Sequence, residues 1–439
     1  MTKKKASKSK STSGDKAVVA STMTNAHGFD FGNMGFDYVQ TNSFITYKWT
    51  EETGWDKGEL VRGTDNFNIH VSATVLHYGQ ACFEGMKAFK MKDGKVRLFR
   101  PQLNAKRLRT SCEVAAMAAP SEELFLEALS RLIKDNLEWI PPIESGGSAY
   151  VRPFVFGSGA RTGLLPATEY TFMAFLCPVG EFYKGGIGSP AKALIKHKFD
   201  RAAPYGTGHV KLGGNYPAPM GPTNEAKKAG FTVLLFLDAL EHRYVEEFST
   251  SNFAALTKPD SDGKRVYVTP KSHSILPSVT NRSLLELAEK HFGWKTERRV
   301  VEWDEVRMGL FDEVAACGTA VVITPIGEIH REMPTGGKRK RITANSTTTA
   351  TNGHTNGSTS KKAKTEKGAK ATKTEPVVPA HDPYDDEEEE EDEVAMEVTK
   401  LSGSDFEGFR ALYTTYRDLQ NGVLEGWEKY EWMWPSEGF

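Results

Sequence analysis

Hydrophobic and polar positions follow two periods along the chain, and each period predicts a different kind of element. Alternation and short apolar runs predict strands at 44–49, 96–100, 148–157, 170–179, 231–237 and 265–270. Apolar residues at helical spacing predict helices at 121–140, 278–293 and 406–422. The first helix has Ser121 at its N-cap position and Pro141 behind it. Because strands and helices interleave without a regular βαβ period, we predict an α+β (mixed α/β) fold.

Two stretches show neither period, and both are rich in charge. Residues 1–28 are rich in Lys, Ser and Thr, while 335–396 runs from the basic KRKR at 338–341 to nine consecutive acidic residues at 385–393. Like charges repel along such runs, and little apolar surface offsets the ordering entropy. We therefore predict a disordered basic tail at 1–28 and a disordered charged insertion at 335–396.

The rest of the chain is long enough for two domains. We predict a small N-terminal α/β domain at 29–183, an interdomain linker at 184–198, and a large domain formed by 199–334 together with 397–439.

The composition argues against nucleic-acid-binding, membrane-spanning and disulfide-rich proteins. The 439 residues carry 56 basic and 57 acidic side chains, so the formal net charge of −1 favours neither nucleic acid nor an acidic membrane as a partner. No apolar run reaches the roughly 18 residues that a membrane-spanning helix needs. Four cysteines without CxxC spacing predict neither a disulfide framework nor a metal site. We expect a cytoplasmic protein, although the sequence leaves mitochondrial and nuclear placement open.

The segment GHVKLGGNYPAPM (208–220) holds the most informative lysine. Lys211 lies among apolar residues and is followed by Gly213 and Gly214, where a backbone can approach a flat ligand closely. Burial would lower the pKa of the lysine amine and make it a nucleophile able to form an imine. A solvated surface lysine is the alternative interpretation.

The segment VEEFSTSNFA (245–254) places two carboxylates, Glu246 and Glu247, before a cluster of small hydroxyl residues. One carboxylate could face a protonated ring nitrogen of a ligand. The structural alternative is a strand that ends in a turn.

Two later segments could offer N–H groups to an anion. In ILPSVTNRSLLELA (275–288), the start of a helix could hold a phosphate, or Ser278 or Thr280 could simply cap the helix. In ACGTAVVITPIG (316–327), the turn at Thr319 could add further N–H groups and a hydroxyl.

Together these groups suit a ligand with a phosphate, a basic ring nitrogen and an aldehyde, and pyridoxal 5′-phosphate (PLP) has all three. The chain resembles the branched-chain amino acid aminotransferases of PLP fold type IV. The motifs that carry the resemblance are LHYGQACFEGMKAFK (76–90), VRLFRPQLNAKRL (96–108), YVRP (150–153), CPVG (177–180), KLGGNY (211–216), the Glu247–Thr250–Asn252 segment, LPSVT (276–280) and GTA (318–320).

The resemblance implies a two-domain fold with the site between the domains and PLP bound by the larger one. It implies transamination of leucine, isoleucine and valine with 2-oxoglutarate, which yields branched-chain 2-oxo acids and glutamate. It also implies a homodimer, in which the loop after 150–157 reaches the neighbouring subunit's site. Here that loop reads SGARTGLLP (158–166).

The positions that match the family's cofactor-binding residues are Arg107, Lys211, Tyr216, Glu247, Thr250, Val279, Thr280 and Thr319. The resemblance implies that Lys211 holds PLP as an internal aldimine and moves the proton between the substrate carbon and the cofactor. Glu247 would pair with the ring nitrogen, and Tyr216 would hydrogen-bond the ring oxygen. Arg107 would bind the phosphate, together with the backbone of 279–280 and Thr319.

The positions that match the family's substrate-binding residues are Tyr78, Phe83, Tyr150, Arg152, Thr250, Thr319 and Ala320. The aromatic residues would form an apolar pocket for the substrate side chain. Arg152 with Tyr150 would bind the second carboxylate of glutamate, so one site could accept both an aliphatic and an acidic side chain.

Two alternatives stay open beside a branched-chain aminotransferase of primary metabolism. The same chemistry could serve a secondary-metabolite pathway with another hydrophobic or unusual amino donor, which the loop at 158–166 and the insertion favour. A protein of another class, a non-catalytic nuclear interaction protein, could use the KRKR segment at 338–341 and the acidic run at 385–393.

Overall fold

The computed structural model describes residues 23–180, 186–333, 395–401 and 405–439. Most of the predicted basic tail and nearly all of the predicted charged insertion lie outside these ranges.

The strands in chain order are β1 (Ser43–Thr50), β2 (Gly54–Trp55), β3 (Glu59–Arg62), β4 (Ala81–Phe83), β5 (Met86–Lys90), β6 (Val96–Phe99), β7 (Ser148–Gly157), β8 (Glu169–Val179), β9 (Ala191–Ile195), β10 (Val233–Leu237), β11 (Val245–Phe248), β12 (Ser251–Leu256), β13 (Val266–Pro270), β14 (Lys295–Arg299), β15 (Glu313–Gly318), β16 (Val322–Met333), β17 (Ala395–Lys400) and β18 (Met433–Trp434). The α-helices are α1 (Thr74–Tyr78), α2 (Pro101–Val114), α3 (Glu122–Asp135), α4 (Met220–Lys228), α5 (Val279–Lys290), α6 (Trp303–Arg307) and α7 (Glu407–Gln420).

The strands form two sheets. The first sheet has the order β18-β6-β5-β7-β8-β1-β2, with β3 beside β1 and β4 beside β7, and all its pairings are antiparallel. Helices α2 and α3 pack on it around a core that includes Leu108, Phe125 and Phe172. The amphipathic pattern of α3 turns its apolar side to this sheet, and Ser121 caps its start by accepting from the Leu124 N–H.

The second sheet has the order β11-β10-β9-β16-β15-β12-β13-β14, with β17 beside β16. Because β11 also pairs with β12, the strands from β11 round to β12 close into a barrel. Parallel pairs of β9 with β10 and β16, and of β13 with β14, sit among antiparallel ones. The barrel interior is apolar, with Phe253, Trp303 and Ile326 among its buried residues.

A third apolar cluster joins the two sheets. Phe89 and Phe99 from the first sheet pack in one cluster with Leu256 and Tyr267 from the second, and Phe409 of α7 completes it. This shared core fixes the position of one sheet against the other, and the site described below lies at the same junction.

The periodic segments predicted as strands all contain strands, and the three predicted helices all exist. The helix predicted at 121–140 is too long, because it ends at Asp135, where the buried Asn136 side chain turns to bond the backbone of Ser43 and Leu132. A short 3-10 turn, Leu137–Trp139, follows.

Three predicted domain limits are wrong in the described residues. The linker at 184–198 contains β9, a buried strand between β10 and β16. The tail at 1–28 is ordered from residue 23, where Thr24 bridges to Asp30 and the His27 ring stacks on Trp139. The end of the chain leaves the large domain, since β18 pairs with β6 of the first sheet.

The C-terminal helix α7 is held by one buried carboxylate. Glu313, 1% exposed, accepts from the N–H groups of Gly408 and Phe409, each at 2.9 Å, and pairs with Arg265 at 3.2 Å. The first N–H groups of a helix have no acceptor within the helix, and the helix dipole favours a negative charge there. This contact ties α7 to β15.

We expect Glu313→Ala to lower the free energy of unfolding by about 2–4 kcal/mol, because it leaves two buried helix N–H groups without an acceptor, while Arg265 keeps its ion pair with Asp312 at 2.8 Å. The measurement is the midpoint of chemical denaturation. Glu289→Ala, at an exposed position of α5, is the matched control and should change stability by about 0.5 kcal/mol or less. Equal midpoints for both variants would contradict this role.

Candidate active site

Lys211 lies on an irregular segment that is bound to the first sheet through its backbone. Its N–H donates to the Ser111 hydroxyl of α2 at 2.9 Å, and its carbonyl accepts from the Phe83 N–H of β4 at 3.1 Å. The next residue, Leu212, forms a β-bridge with Cys82. These contacts leave the lysine side chain as the free part of the residue and direct it into the junction between the sheets.

The Lys211 amine lies among aromatic rings. Its Nζ donates to the Tyr216 hydroxyl at 2.7 Å and lies 4.6 Å from the centre of the Phe83 ring. Loss of solvation, with the positive charge of Arg107 as a second cause, lowers the pKa of Lys211 to about 7. A substantial fraction of the amine is therefore unprotonated at neutral pH and able to attack a carbonyl carbon. Burial also raises the pKa of Tyr216, so its hydroxyl keeps its proton.

Glu247 of β11 is a buried carboxylate with several partners. Its Oε2 accepts from the Asn252 side chain at 2.8 Å and from the Leu276 N–H at 3.3 Å. Its Oε1 lies 3.0 Å from a guanidinium nitrogen of Arg201. Burial raises the pKa of Glu247 to about 7, and the positive charge of Arg201 opposes this rise.

The neighbouring carboxylate has a separate environment. Strand alternation points Glu246 to the other face of β11, where its Oε1 accepts from the hydroxyls of Ser272, at 2.8 Å, and Ser274. The strand that ends in a turn, which was the structural alternative, is present as β11, and its hairpin with β12 sets Glu247 beside Asn252.

Arg107 of α2 forms a second buried ion pair in the site, with Glu84. It donates twice to the fully buried Glu84, from Nε at 2.7 Å and from Nη2 at 2.6 Å, and its Nη1 donates to the Pro277 carbonyl at 2.7 Å. A guanidinium has five N–H donors, so two remain for another ligand. Arg107 therefore reaches the loop that leads into α5.

The start of α5 faces Arg107. Ser278 is its N-cap and accepts from the Asn281 N–H at 3.2 Å, as the capping interpretation predicted. The N–H groups of the first two helical residues, Val279 and Thr280, have no acceptor within the helix. Beside Arg107 they form the kind of helix N-terminus that binds phosphate.

The hairpin tip at Thr250 and the turn at 318–321 lie side by side. Strand β12 pairs with β15, so both turns fall at the same end of the second sheet. A Cβ on Gly318 would lie 3.6 Å from the Thr250 carbonyl oxygen. The turn carries Thr319 and Ala320, and the buried Lys87 of β5 donates to the Ala320 carbonyl at 2.8 Å, which links the turn to the first sheet.

Tyr150 and Arg152 stand on one face of β7, two residues apart as strand geometry requires. Arg152 donates to the Tyr150 hydroxyl at 3.0 Å, and its guanidinium carbon lies 5.0 Å from the centre of the Phe83 ring. Gly85 makes room for this pair, because a Cβ at that position would overlap the Tyr150 hydroxyl. Phe83 therefore lies between Arg152 and Lys211.

Tyr78 lies apart from this group. It is 45% exposed, and its hydroxyl donates to the Thr162 carbonyl at 2.8 Å. It lines a separate cavity of about 540 Å³ together with Leu164, Leu165 and Leu212. Of the predicted substrate residues, Phe83, Tyr150 and Arg152 are thus in mutual contact, and Tyr78 faces outward.

Three charged residues that the sequence interpretation missed belong to the site. They are Glu84 against Arg107, Arg201 against Glu247, and Lys87 at the Ala320 turn. Glu84 and Lys87 lie inside the motif at 76–90, where their charge within an apolar strand region was the available signal. Arg201 lies in an irregular loop, and no periodicity points to it.

The described ranges contain no group of three or more His, Cys, Asp or Glu side chains that could hold a metal ion. In the same part of the chain, no helix combines the length and apolar character that crossing a membrane takes. All four cysteines are buried and free, in line with the prediction of no disulfide framework.

Comparison with known proteins identifies the family. Residues 81–329 match the class IV aminotransferases. The chain is 47% identical over 309 residues to the branched-chain-amino-acid aminotransferase of Helicobacter pylori (strain J99), an alignment that covers 70% of this chain and 88% of the relative. Two solved structures share the fold. The Escherichia coli branched-chain amino acid aminotransferase matches with a TM-score of 0.54 and 25% identity. The match covers 66% of this chain and 87% of the Escherichia coli chain.

The second solved structure is the branched-chain amino acid aminotransferase of Thermobaculum terrenum in its PLP form, which matches with a TM-score of 0.52 and 22% identity. The match covers 66% of this chain and 87% of the Thermobaculum terrenum chain. The predicted α+β fold of PLP fold type IV is confirmed by the family match and these likenesses. The chain belongs to the class IV aminotransferases and, within them, to the branched-chain amino acid aminotransferases.

Proposed function

We propose that this protein transfers the amino group of leucine, isoleucine or valine to 2-oxoglutarate. Its cofactor is PLP, and Lys211 is the residue to which PLP is attached. The observation on which this rests is the position of the Lys211 amine, 2.7 Å from the Tyr216 hydroxyl and with a pKa lowered to about 7. The names of the relatives, and the PLP form of one solved relative, support the same assignment.

The residues of the site fit PLP at three corners. The unprotonated fraction of Lys211 suits the aldehyde, and the Glu247 carboxylate suits a protonated ring nitrogen. The two free donors of Arg107 and the N–H groups of Val279 and Thr280 suit a phosphate. Thr250 and Thr319, in the adjacent turns, would add hydroxyl groups to this end of the site.

When bound, PLP supplies an electron-withdrawing ring that stabilises negative charge at the substrate carbon. Lys211 would remove and return the proton at that carbon, since its amine is held within the site by its backbone contacts. Glu247 would hold a proton on the ring nitrogen by accepting a hydrogen bond from it. Tyr216, which keeps its proton, would donate to the ring oxygen.

The substrate end supports two kinds of side chain. On this proposal Phe83 and Tyr150 would present apolar rings to a branched aliphatic chain, and Ala320 would add a small residue to the pocket. The Nε of Arg152 is buried and makes no hydrogen bond in the described part of the chain. We assign it to the second carboxylate of glutamate, since a guanidinium binds carboxylates in a forked geometry.

A homodimer would explain the position of Tyr78. This residue faces away from its own site, beside the exposed Leu164 and Leu165 of the loop at 158–166. Exposed apolar side chains grouped on one surface are typical of an interface. We propose that Tyr78 and this loop contribute to the site of a second copy of the chain.

The two other functions have less support. The secondary-metabolite alternative rests on the loop at 158–166 and the insertion, whereas the relatives reported above carry branched-chain names. The nuclear alternative rests on 338–341 and 385–393, which lie outside the described residues. A cytoplasmic location stays a prediction.

The amino donor can be identified from the spectrum of the protein supplied with PLP. Leucine, isoleucine and valine should each change the visible absorbance of the bound cofactor, and 2-oxoglutarate should restore it. Lys211→Ala protein is the control and should show no change that 2-oxoglutarate reverses, because it lacks the base that moves the proton at the substrate carbon. A response to another amino acid, with none to these three, would overturn the substrate assignment while leaving the cofactor in place.

Arg152→Gln should separate the two substrates. Without the guanidinium, kcat/KM for glutamate should fall about 10–100-fold, the loss expected for a hydrogen bond to a charged group, while that for leucine should change little. Steady-state kinetics of the two half-reactions measure the ratio. An equal loss for both substrates would show that Arg152 acts on the fold and not on the carboxylate.

Subunit mixing tests whether Tyr78 acts on a second copy. A heterodimer of Lys211→Ala and Tyr78→Ala chains, isolated with two affinity tags, contains one complete site only if Tyr78 acts across the interface. We expect about half of the activity of the wild-type dimer, since one of the two equivalent sites is intact. Activity no higher than that of the Tyr78→Ala homodimer would place Tyr78 in its own subunit's site.

A further inference from the structure

Arg201 has a buried side chain that is held through its two terminal guanidinium nitrogens, whereas its Nε makes no hydrogen bond in the described part of the chain. It lies in the loop between β9 and Lys211, and its side chain is 8% exposed. Its Nη1 lies 3.0 Å from Glu247 Oε1, and its Nη2 donates to the Ser274 carbonyl and, at 3.5 Å, to the Gly208 carbonyl. A Cβ at Gly208 would overlap the Ser274 carbonyl, so glycine allows the loop to close over Arg201.

The charges around Glu247 are few. Arg201 is the cation in contact with it, and Lys211 acts on it from farther away. Glu246, on the same strand, opposes ionisation of Glu247. The other titratable groups that face it are Tyr216 and, from β15, Cys317, both of which burial keeps protonated.

The remaining groups that face Glu247 are neutral. They are the Asn252 amide from β12 and the Leu276 N–H from the loop before α5, and both donate to Oε2. Neutral donors orient a carboxylate, but they compensate its buried charge less than a cation does.

Lys211 is not a lasting partner for this carboxylate. The pKa of its amine is already lowered to about 7, and under the proposed function the same amine is committed to the cofactor aldehyde. Arg201 keeps its charge at every pH at which proteins are folded. The permanent positive charge beside Glu247 is therefore Arg201.

We infer that Arg201 is a positioning residue for the reaction, which keeps Glu247 ionised and fixes the carboxylate so that its free lone pair faces the ring nitrogen of the cofactor. The inference rests on the proposed function, because it needs a ring nitrogen in front of Glu247. Arg201 itself touches neither substrate nor cofactor. It acts through Glu247 alone.

The sign of the effect follows from the burial of Glu247. An opposite charge within about 4–6 Å lowers the pKa of a carboxyl by about 1–3 units, so removing Arg201 should raise the pKa of Glu247 by a similar amount. A protonated Glu247 carries no negative charge, so it no longer stabilises the proton on the ring nitrogen. The loss should be large at neutral pH and should diminish as the pH rises and Glu247 ionises again.

The test compares Arg201→Gln with Arg201→Lys, which keeps the charge. For Arg201→Gln we expect the acid limb of the kcat/KM profile to move up by about 1–3 pH units, with a loss of about 5-fold or more near pH 7. Arg201→Lys should keep the acid limb close to its wild-type position. An equal shift for both variants, or a loss that is the same at every pH, would overturn the inference.

A second readout does not depend on turnover. The dissociation constant for PLP, followed by quenching of protein fluorescence, should rise in Arg201→Gln at low pH and approach the wild-type value at high pH. In a Glu247→Gln background, Arg201→Gln should change kcat/KM and the dissociation constant for PLP by less than about twofold each, because the partner of Arg201 is already absent. A full additional effect there would mean that Arg201 serves the fold.

The two proposals fail in different ways. If wild-type protein binds no PLP at Lys211, the proposed function is wrong. If wild-type protein binds PLP and turns over leucine, but Arg201→Gln has a wild-type pH profile, only the role of Arg201 is wrong. If Arg201→Gln fails to fold, the pH profiles of Arg201→Lys and of the double variant Arg201→Lys with Glu247→Gln show whether Arg201 acts through Glu247.

Discussion

Two ion pairs hold buried charges at the junction of the two sheets, because a charge taken out of water is costly unless it finds a partner. Glu84 holds Arg107 through two short hydrogen bonds, and Arg201 faces Glu247. These contacts set the orientation of each charge within the protein itself. A site built in this way is polarised before a ligand binds, which is the condition for stabilising charge that develops during a reaction.

The pairs do not belong to one sheet. Lys211 takes its backbone partners from α2 and β4, whereas Glu247 and the start of α5 belong to the second sheet. Arg107 of α2 bonds the loop before α5, and Lys87 of β5 bonds the turn after β15. The apolar cluster with Phe89 and Tyr267 holds the two parts in register. Packing at a distance from the chemistry therefore sets the distances within it.

Sequence periodicity predicted several long elements but missed the long helix α2 and the long strand β16, and it was insufficient for the short elements. The segments that became β7, β8 and α5 carry enough residues for a period to show. Strand β9 and strand β18 are short and owe their existence to pairing with distant strands, so local sequence could not reveal them. The end of α3 at Asp135 depends on a hydrogen bond from Asn136 to the backbone of β1. The sequence predicts that this helix ends at the residue before Pro141, because it does not reveal that contact.

The same distinction applies to the site. Lys211 and Glu247 stood out because their local segments combine a charge with glycines or small hydroxyl residues. Their partners Arg201 and Glu84 acquire a role only through contacts between remote parts of the chain. Tyr78 matched the substrate residues of the family by motif, but the fold of a single chain turns it outward.

The central claim is that one amine, on Lys211, is bonded to the cofactor. Reduction of the PLP-loaded protein with borohydride, followed by peptide mapping, tests it directly. The account predicts the stable pyridoxyl adduct on the peptide that contains Lys211. Lys87 is the other buried lysine at the junction, and an adduct there, or on no lysine of the folded and loaded protein, would contradict the account.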